Sequence, residues 1–400
     1  MNKANTRRLL SGYFLYECGR AMYFVLITWF LYQWTKDALY TGLFVSFGFI
    51  PGLFSNIIFG VLVDRSNRKK LAILAGIISV FCLVLLTGTF WRGFEHPWLM
   101  ITAHMIMQTA GSLFRPSLQA LVAEVFPKDS LPRIFSWSGS STVAGSLAGA
   151  AAGGVLAGLV VIETALAVVA LLYVCATATI QMIRYTPVER ISSAAGSFWM
   201  ELKEGFLYVH QNRMLYGLFV MLMLGQLTFH TTLGFLSVYT SSHLEQSALV
   251  YGMLDSTFSI GGILAGLIGT WWWAKCQHRI GFWSLLLTAA GLAIVSFTTL
   301  LPVAFLGFLL IGLGTSFVRA LLQSVQQMAT DSRFHGRMSS LRMLCNQTSV
   351  VVTGPIFGFL ASSHGAPAVF LCLLLPVTGG VIWAHIQSKQ PAFKQITKSA

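Results

Sequence analysis

The chain has 400 residues, 55% of them hydrophobic and only 10% charged, with a formal net charge of +13. Soluble domains carry about 25% charged residues, so this composition excludes a soluble enzyme or a soluble binding module. A membrane-crossing helix needs about 20 apolar residues, and the hydrophobic pattern predicts twelve such spans, starting near residues 9, 40, 71, 98, 134, 162, 213, 249, 282, 303, 338 and 366.

The distribution of charge explains its sign. With the N-terminus inside, the segments on the inner side collect 20 of the lysines and arginines, from Lys3, Arg7 and Arg8 to Lys389, Lys394 and Lys398, against 2 outside, Lys36 and Arg92. The positive-inside rule then places both termini in the cytoplasm. The basic balance is a topology signal and not a nucleic-acid footprint. The first span is long and has no convincing cleavage site, so it is expected to be retained and not removed as a secretory leader. Six cysteines (Cys18, Cys82, Cys175, Cys276, Cys345 and Cys372) lie in or beside apolar spans without metal-ligand spacing, and read as small hydrophobes.

The first predicted span, near Leu9–Leu31, holds Glu17 and Arg20 in the stretch "YECGRAM". Arg20 falls near mid-depth and Glu17 about one turn nearer the cytoplasm, at 1.5 Å of rise per residue. A lone charge at the bilayer centre costs about 2.5–3.5 kcal/mol on insertion scales. The two residues are therefore expected to pair with each other and to face a water-accessible path. Trp29, Trp34, Trp91 and Trp98 fall near span ends and read as interface anchors.

The second span leads into "GVLVDRSNRKKL", residues 60–71. Gly60 permits close helix approach, Asp64 stands where the chain leaves the membrane, and Arg65, Arg68, Lys69 and Lys70 follow. This G-x-x-x-D-R-x-x-R-K spacing resembles the hallmark loop between helices 2 and 3 of the major facilitator superfamily, and the resemblance extends over the whole chain. It implies an all-α membrane fold of twelve helices in two pseudo-symmetric six-helix bundles, with helices 1, 4, 7 and 10 lining a central cavity. It also implies that Gly60, Asp64, Arg65, Arg68 and Lys69 act as a gating latch, Asp64 accepting hydrogen bonds from a helix N-terminus of the other half. Asn67 replaces the family's usual loop glycine and also tolerates left-handed backbone. The matching loop "GTWWWAKCQHR" at 269–279 lacks the aspartate.

In the fourth span His104 and Gln108 lie one turn apart, and Arg115 lies near its inner end. Arg115 can snorkel and reads as a helix-end gate residue. The fifth span carries Gly145, Gly149, Gly153, Gly154 and Gly158, a small-residue face for close helix packing. With the segments 115–141 and 324–344, this stripe resembles the drug- and siderophore-exporting branch (macrolide and enterobactin exporters). The branch's usual proline is missing from the fifth span, although Gly354-Pro355 supplies one in the eleventh.

The polar stretch 184–212 divides the chain into an N-terminal bundle, 1–183, and a C-terminal bundle, 213–400. Phe198, Leu202, Phe206 and Val209 predict an amphipathic helix at the cytoplasmic surface. The seventh span has Gln226 and His230, the eighth Asp255 in its outer half, the tenth Arg319 near its inner end as a second gate residue, and the eleventh Arg342 and Asn346 on one face. Arg115 with Gln119 recurs as Arg319 with Gln323, Gly149 with Gly153 as Gly354 with Gly358, and Gly42 with Ser46 as Gly252 with Ser256, at offsets of 204, 205 and 210 residues. A duplicated six-helix unit with its site between the halves is a common transporter design.

Intramembrane ionisable groups mark pathways. Superfamily members commonly couple transport to protons, so Glu17 and Asp255 are candidate proton carriers, with His104 or His230 assisting. A carboxyl group in apolar surroundings holds its proton more readily. Four intramembrane arginines outnumber two carboxylates, which predicts an anionic or polycarboxylate substrate, such as a carboxylate siderophore, more readily than a lipophilic cation. The expected task is efflux of an anionic or amphipathic small molecule, siderophore or drug. The expected protein is a monomeric proton-coupled exporter of the bacterial inner membrane, needing small-molecule substrate, protons and lipid but no cofactor, metal or nucleic acid. Import on the same fold is the alternative. Zinc-hydrolase, nucleophile-elbow and P-loop signatures are absent from the sequence, which disfavours a membrane enzyme or an ATP-driven pump. The repeat and latch disfavour a channel.

Overall fold

The computed structural model describes residues 3–184, 198–331 and 334–398, and within its helices all side chains except those at 56, 57, 60, 61, 64, 65, 198–202, 336 and 398. The described residues fold into helices: α1 (Lys3–Thr35), α2 (Ala38–Arg65), α3 (Arg68–Trp91), α4 (Pro97–Val125), α5 (Leu131–Leu159), α6 (Ile162–Gln181), α7 (Phe198–Gln211), α8 (Arg213–Val238), α9 (Ala248–Cys276), α10 (Ile280–Phe297), α11 (Leu301–Phe317), α12 (Gln323–Met328), α13 (His335–His364), α14 (Ala366–Ser388) and α15 (Pro391–Lys398). Among the described residues, ten stretches are both long and apolar enough to cross a membrane. One of them, Ala248–Phe297, contains two helices, α9 and α10, separated by a short turn. Helix α4 has the length, 29 residues, and stands outside those ten; His104, Gln108, Arg115 and Gln119 lower its hydropathy.

Local chemistry sets the helix ends. The side chains of Asp37, Asn67, His96 and Asn212 each accept a backbone N–H of the helix they precede, which satisfies donors that have no intrahelical acceptor. Asn67 has φ −68° and ψ 108°. It serves as the N-cap of α3 in extended backbone, so the left-handed geometry its sequence position allows is not used. Gly365 does take positive φ, 82°, at the tight junction of α13 and α14. Helix α8 ends in a π-helical turn at Tyr239–His243, and α11 runs through another, Val318–Leu322, into α12.

The chain divides into two compact units. Unit 1 comprises Met1–Ala194 with Ser247–Ser256, and unit 2 comprises Ala195–Gln246 with Thr257–Ala400. In unit 1, α1 packs on α5 and α6, α3 on α4 and α6, and α2 on α4. In unit 2, α10 packs on α11 and α14, and α8 on α13 and α14. Helix α9 touches α11 through Gly261 and Gly312, each too close to its neighbour's backbone for a side chain. Each unit thus repeats one packing scheme.

The glycine stripe of α5 explains the α1 contact. A Cβ on Gly145 would lie 2.4 Å from the carbonyl oxygen of Phe14, and one on Gly149 would lie 2.1 Å from that of Cys18. Backbone meets backbone there, as small residues allow. Gly153 packs on Met22 and Val25, whereas Gly158 faces open space. Helix α7 forms as predicted; of its expected apolar face, the side chains of Phe198 and Leu202 lie outside those described, Val209 is buried and Phe206 is not. Val209 packs with Phe219, Met338 and Leu341, while Phe206 is exposed and stacks on His210 at 6.1 Å. An ion pair from Arg337 to Glu204, 2.8 Å, ties α7 to α13.

Candidate functional site

Three charged side chains meet inside unit 1. Glu17, near the middle of α1, is 3% exposed. Arg20 donates from Nε to its carboxylate at 2.6 Å, and Arg115 of α4 donates from Nε and Nη2 at 3.0 Å each. The predicted pair is therefore a triad. Arg115 does not snorkel to the inner end of its helix as expected but reaches Glu17, a partner 98 positions away in sequence. The reason lies in the packing beside it: Tyr16 stacks flat on Phe114 at 3.7 Å, and Tyr173 of α6 meets Tyr16 edge-on at 5.1 Å. This aromatic contact fixes the rotation of α4 against α1, and Arg115 follows. Two cations on one carboxylate leave the triad with one net positive charge. The arginine side chains remain 35% and 48% exposed.

His104 and Gln108 lie together against α2. A Cβ on Gly48 would sit 2.4 Å from His104 Nε2 and 3.4 Å from Gln108 Cγ. The His104 ring stacks on Phe44 at 3.8 Å and lies 6.0 Å from Tyr23, and its Nδ1 has no hydrogen-bond partner. This setting is an aromatic packing site with one unsatisfied nitrogen.

The start of α9 belongs to unit 1. Gly252 lies against Gly154 of α5, backbone to backbone. The Tyr251 hydroxyl hydrogen-bonds Thr28 Oγ1 at 2.7 Å, and its ring stacks on Trp29 at 5.8 Å. Trp29 is 8% exposed, so it is a packing residue and not an interface anchor. Trp91, 81% exposed, fits the anchor role. One turn beyond Tyr251, Asp255 is 6% exposed. Among the described residues no side chain or backbone group hydrogen-bonds its carboxylate.

At the basic side of unit 1, two of the five latch residues make contacts. Arg68 Nη1 donates to Glu124 Oε1 at 2.7 Å and to the Ala120 carbonyl at 3.1 Å, with both charged side chains 5% exposed. Lys69 Nζ donates to the Ile183 carbonyl at 2.8 Å. Gly60, Asp64 and Arg65 lie at the end of α2, and their side chains are outside those described. Glu124 was missed by sequence reasoning. The signal was available: a single acid in the apolar run "LQALVAEVF" requires a cation nearby.

Unit 2 holds the remaining candidates. Gln226 Nε2 and His230 Nε2 are 2.6 Å apart, one turn along α8 as predicted. They stand 209 and 210 residues after Glu17 and Arg20, so the second half carries an amide and an imidazole where the first carries an ion pair. Arg319 lies within the π turn, its guanidinium 4.2 Å over the Phe229 ring. Arg342 of α13 donates from Nη1 to Gln326 Oε1 at 2.9 Å. With its amide oriented to satisfy both neighbours, Gln323 donates to the Arg319 carbonyl at 3.2 Å and accepts from Arg342 Nη2 at 3.1 Å. Gln326 Nε2 and Asn346 Oδ1 are buried without partners. The structure thus groups Glu17 with Arg20 and Arg115, His104 with Gln108, Gln226 with His230, and Arg342 with the glutamines of α12. A separate apolar groove of about 330 Å³ between α2, α3 and α4, touched by Pro51, Ile78 and Met105, includes none of them.

The sequence profile of the Major Facilitator Superfamily matches residues 9–243 and 218–397. Macrolide efflux protein A of Streptococcus pyogenes is 27% identical over 279 residues, covering 66% of this chain and 64% of that protein. Multidrug resistance protein MdtG of Klebsiella pneumoniae is 25% identical over 369 residues, covering 88% and 85%. The crystal structure of the nucleoside transporter NupG superposes with a TM-score of 0.72 at 16% identity, covering 100% of both chains. That likeness speaks to the fold alone.

Proposed function

The chain belongs to the Major Facilitator Superfamily, a family of transporters and not of enzymes, and on that premise we propose that it exports anionic or amphipathic small molecules across a bacterial inner membrane in exchange for protons. It works by alternating access, with both termini in the cytoplasm. Efflux is the direction favoured by the relatives named for macrolide efflux and multidrug resistance.

One observation carries the assignment of roles: the two membrane carboxylates have opposite surroundings. Glu17 is held by three N–H donors from two arginines, so protonating it would break charge-assisted bonds that are about twice as strong as neutral ones. It is a positioning residue that keeps α1, Arg20 and Arg115 in register. Asp255 is buried and has no hydrogen-bond donor among the described residues. Its ionised form is poorly compensated, so a proton can join and leave without dismantling a network. Asp255 carries the proton; Arg20 and Arg115 attract the anionic part of the substrate.

The test uses inverted membrane vesicles with an imposed pH gradient and a radiolabelled macrolide as probe. Wild type accumulates the label, and Asp255→Asn loses gradient-driven accumulation while keeping label exchange without a gradient. Full gradient-driven accumulation in Asp255→Asn would overturn the proton assignment. Accumulation only in right-side-out vesicles would replace export with import.

A further inference from the structure

Arg342 stands apart from the other paired arginines. Arg20 and Arg115 share Glu17, Arg68 binds Glu124, and Arg337 binds Glu204. Arg342 has as partners only the neutral amide oxygens of Gln326 and Gln323, and among the described residues no carboxylate lies within ion-pair distance of it. A half-buried guanidinium in a membrane helix keeps its charge and needs a counter-ion that two amide dipoles do not supply. Beside it, Gln326 is 1% exposed, and its Nε2 donor has no acceptor. Buried unsatisfied donors are rare in native proteins and call for an explanation. One turn along the same face of α13, the Asn346 Oδ1 acceptor is also unpartnered. Helix α11 abandons its α-helical form at Val318–Leu322, directly before α12, and such π turns concentrate at functional sites.

We propose that Arg342, Gln326 and Asn346 form a carboxylate-binding subsite within unit 2, selective for a carboxylate that carries a neighbouring hydroxyl group. The carboxylate takes charge-assisted hydrogen bonds from the Arg342 fork and the free Gln326 N–H, and the hydroxyl donates to Asn346 Oδ1. The carboxylate supplies the counter-ion that the described side chains withhold, so the site favours exchangeable anions over fixed ones. Gln323 accepts from Arg342 Nη2 and helps orient the guanidinium. This reading rests on the proposed export of anionic substrates and deepens it by adding, to the attraction from Arg20 and Arg115, a further acid-recognising group in unit 2 and naming the chemistry it selects.

The experiment is a thermal-shift and calorimetric titration of the purified full chain in detergent. Citrate is the probe, tricarballylate, which lacks the hydroxyl group, is the second, and sodium chloride at equal ionic strength is the control. Wild type is expected to gain stability with citrate over chloride and to bind tricarballylate more weakly. Arg342→Gln and Gln326→Leu should each weaken citrate at least about tenfold, and Asn346→Leu should erase the preference for citrate over tricarballylate. Arg342→Lys, which keeps the charge and the fold but not the fork, should fall between. No citrate effect in wild type, or an unchanged affinity in Arg342→Lys and Gln326→Leu, would overturn the subsite. No gradient or movement enters this measurement, so its failure leaves the vesicle result for export standing, and failed export in vesicles leaves the binding result standing.

Discussion

Replacing Glu17 with glutamine tests the triad directly. The substitution preserves size and removes one negative charge, leaving Arg20 and Arg115 converging on a single carbonyl oxygen, beside an amide NH2 that faces other donors and finds no acceptor there. Three N–H contacts of 2.6–3.0 Å are weakened or lost. Removing one partner of a buried ion pair costs about 3–5 kcal/mol. Glu17 is 3% exposed and qualifies as buried, but the two arginines are 35% and 48% exposed and regain hydration, so the lower end, about 3 kcal/mol, applies. For domains of about 150–250 residues each kcal/mol is worth roughly 2–4 °C, which gives a fall of about 6–12 °C in midpoint temperature. Tryptophan fluorescence or size-exclusion after heating, in detergent, reads this out. The double variant Glu17→Gln/Arg115→Gln removes the like-charge convergence and should recover more than half of the loss, a coupling of the kind a double-mutant cycle isolates. A Glu17→Gln protein that melts within about 1 °C of wild type, or a double variant whose losses simply add, would refute the triad as the element that holds α1 to α4.

Two further substitutions probe the packing around that triad. Gly149→Ala places a methyl group 2.1 Å from the Cys18 carbonyl oxygen, so α1 must move away from α5 at an overpacking cost of about 1–3 kcal/mol; Gly158→Ala meets nothing within 4 Å and should be neutral or stabilising by up to about 1 kcal/mol, both measured as midpoint shifts in detergent. Glu124→Gln removes the carboxylate that Arg68, 5% exposed, contacts at 2.7 Å and should cost up to about 3 kcal/mol, the lower end of the range for breaking a buried pair, seen as lower membrane yield and earlier heat aggregation, with Arg68→Met/Glu124→Met recovering part of it.

Much of the fold is legible in the sequence because lipid imposes one rule, length and apolarity, on every span. The predicted starts near 40, 98, 162 and 213 meet helices beginning at Ala38, Pro97, Ile162 and Arg213. Helix α1 begins at Lys3, before the apolar run at Leu9, because backbone hydrogen bonding continues past the hydrocarbon. Pairings within one helix were also legible, since Glu17 with Arg20 and Gln226 with His230 follow from the helical period. Pairings between helices were not. Arg115 with Glu17, Arg68 with Glu124, and Trp29 on Tyr251 depend on how far each helix is rotated about its own axis. That rotation is set by ring stacking such as Tyr16 on Phe114, which no periodicity reports. On α7 the expected Val209 is buried and Phe206 is not: Gly205 and Val209 face α13, which presents Met338 and Leu341 there.

The two wide turns of unit 2, at Tyr239–His243 and Val318–Leu322, amount to single-residue insertions carried inside otherwise regular helices. An insertion of this sort can migrate. Each step along the helix turns the residue it passes by about 100° and advances it by about 1.5 Å, while the far ends stay packed. Arg319 sits inside the second of these turns, so a one-residue migration would lift its guanidinium off the Phe229 ring and re-aim it around the helix. A shift of register there, one amino acid wide, would therefore redirect a positive charge while the flanking turns kept their packing.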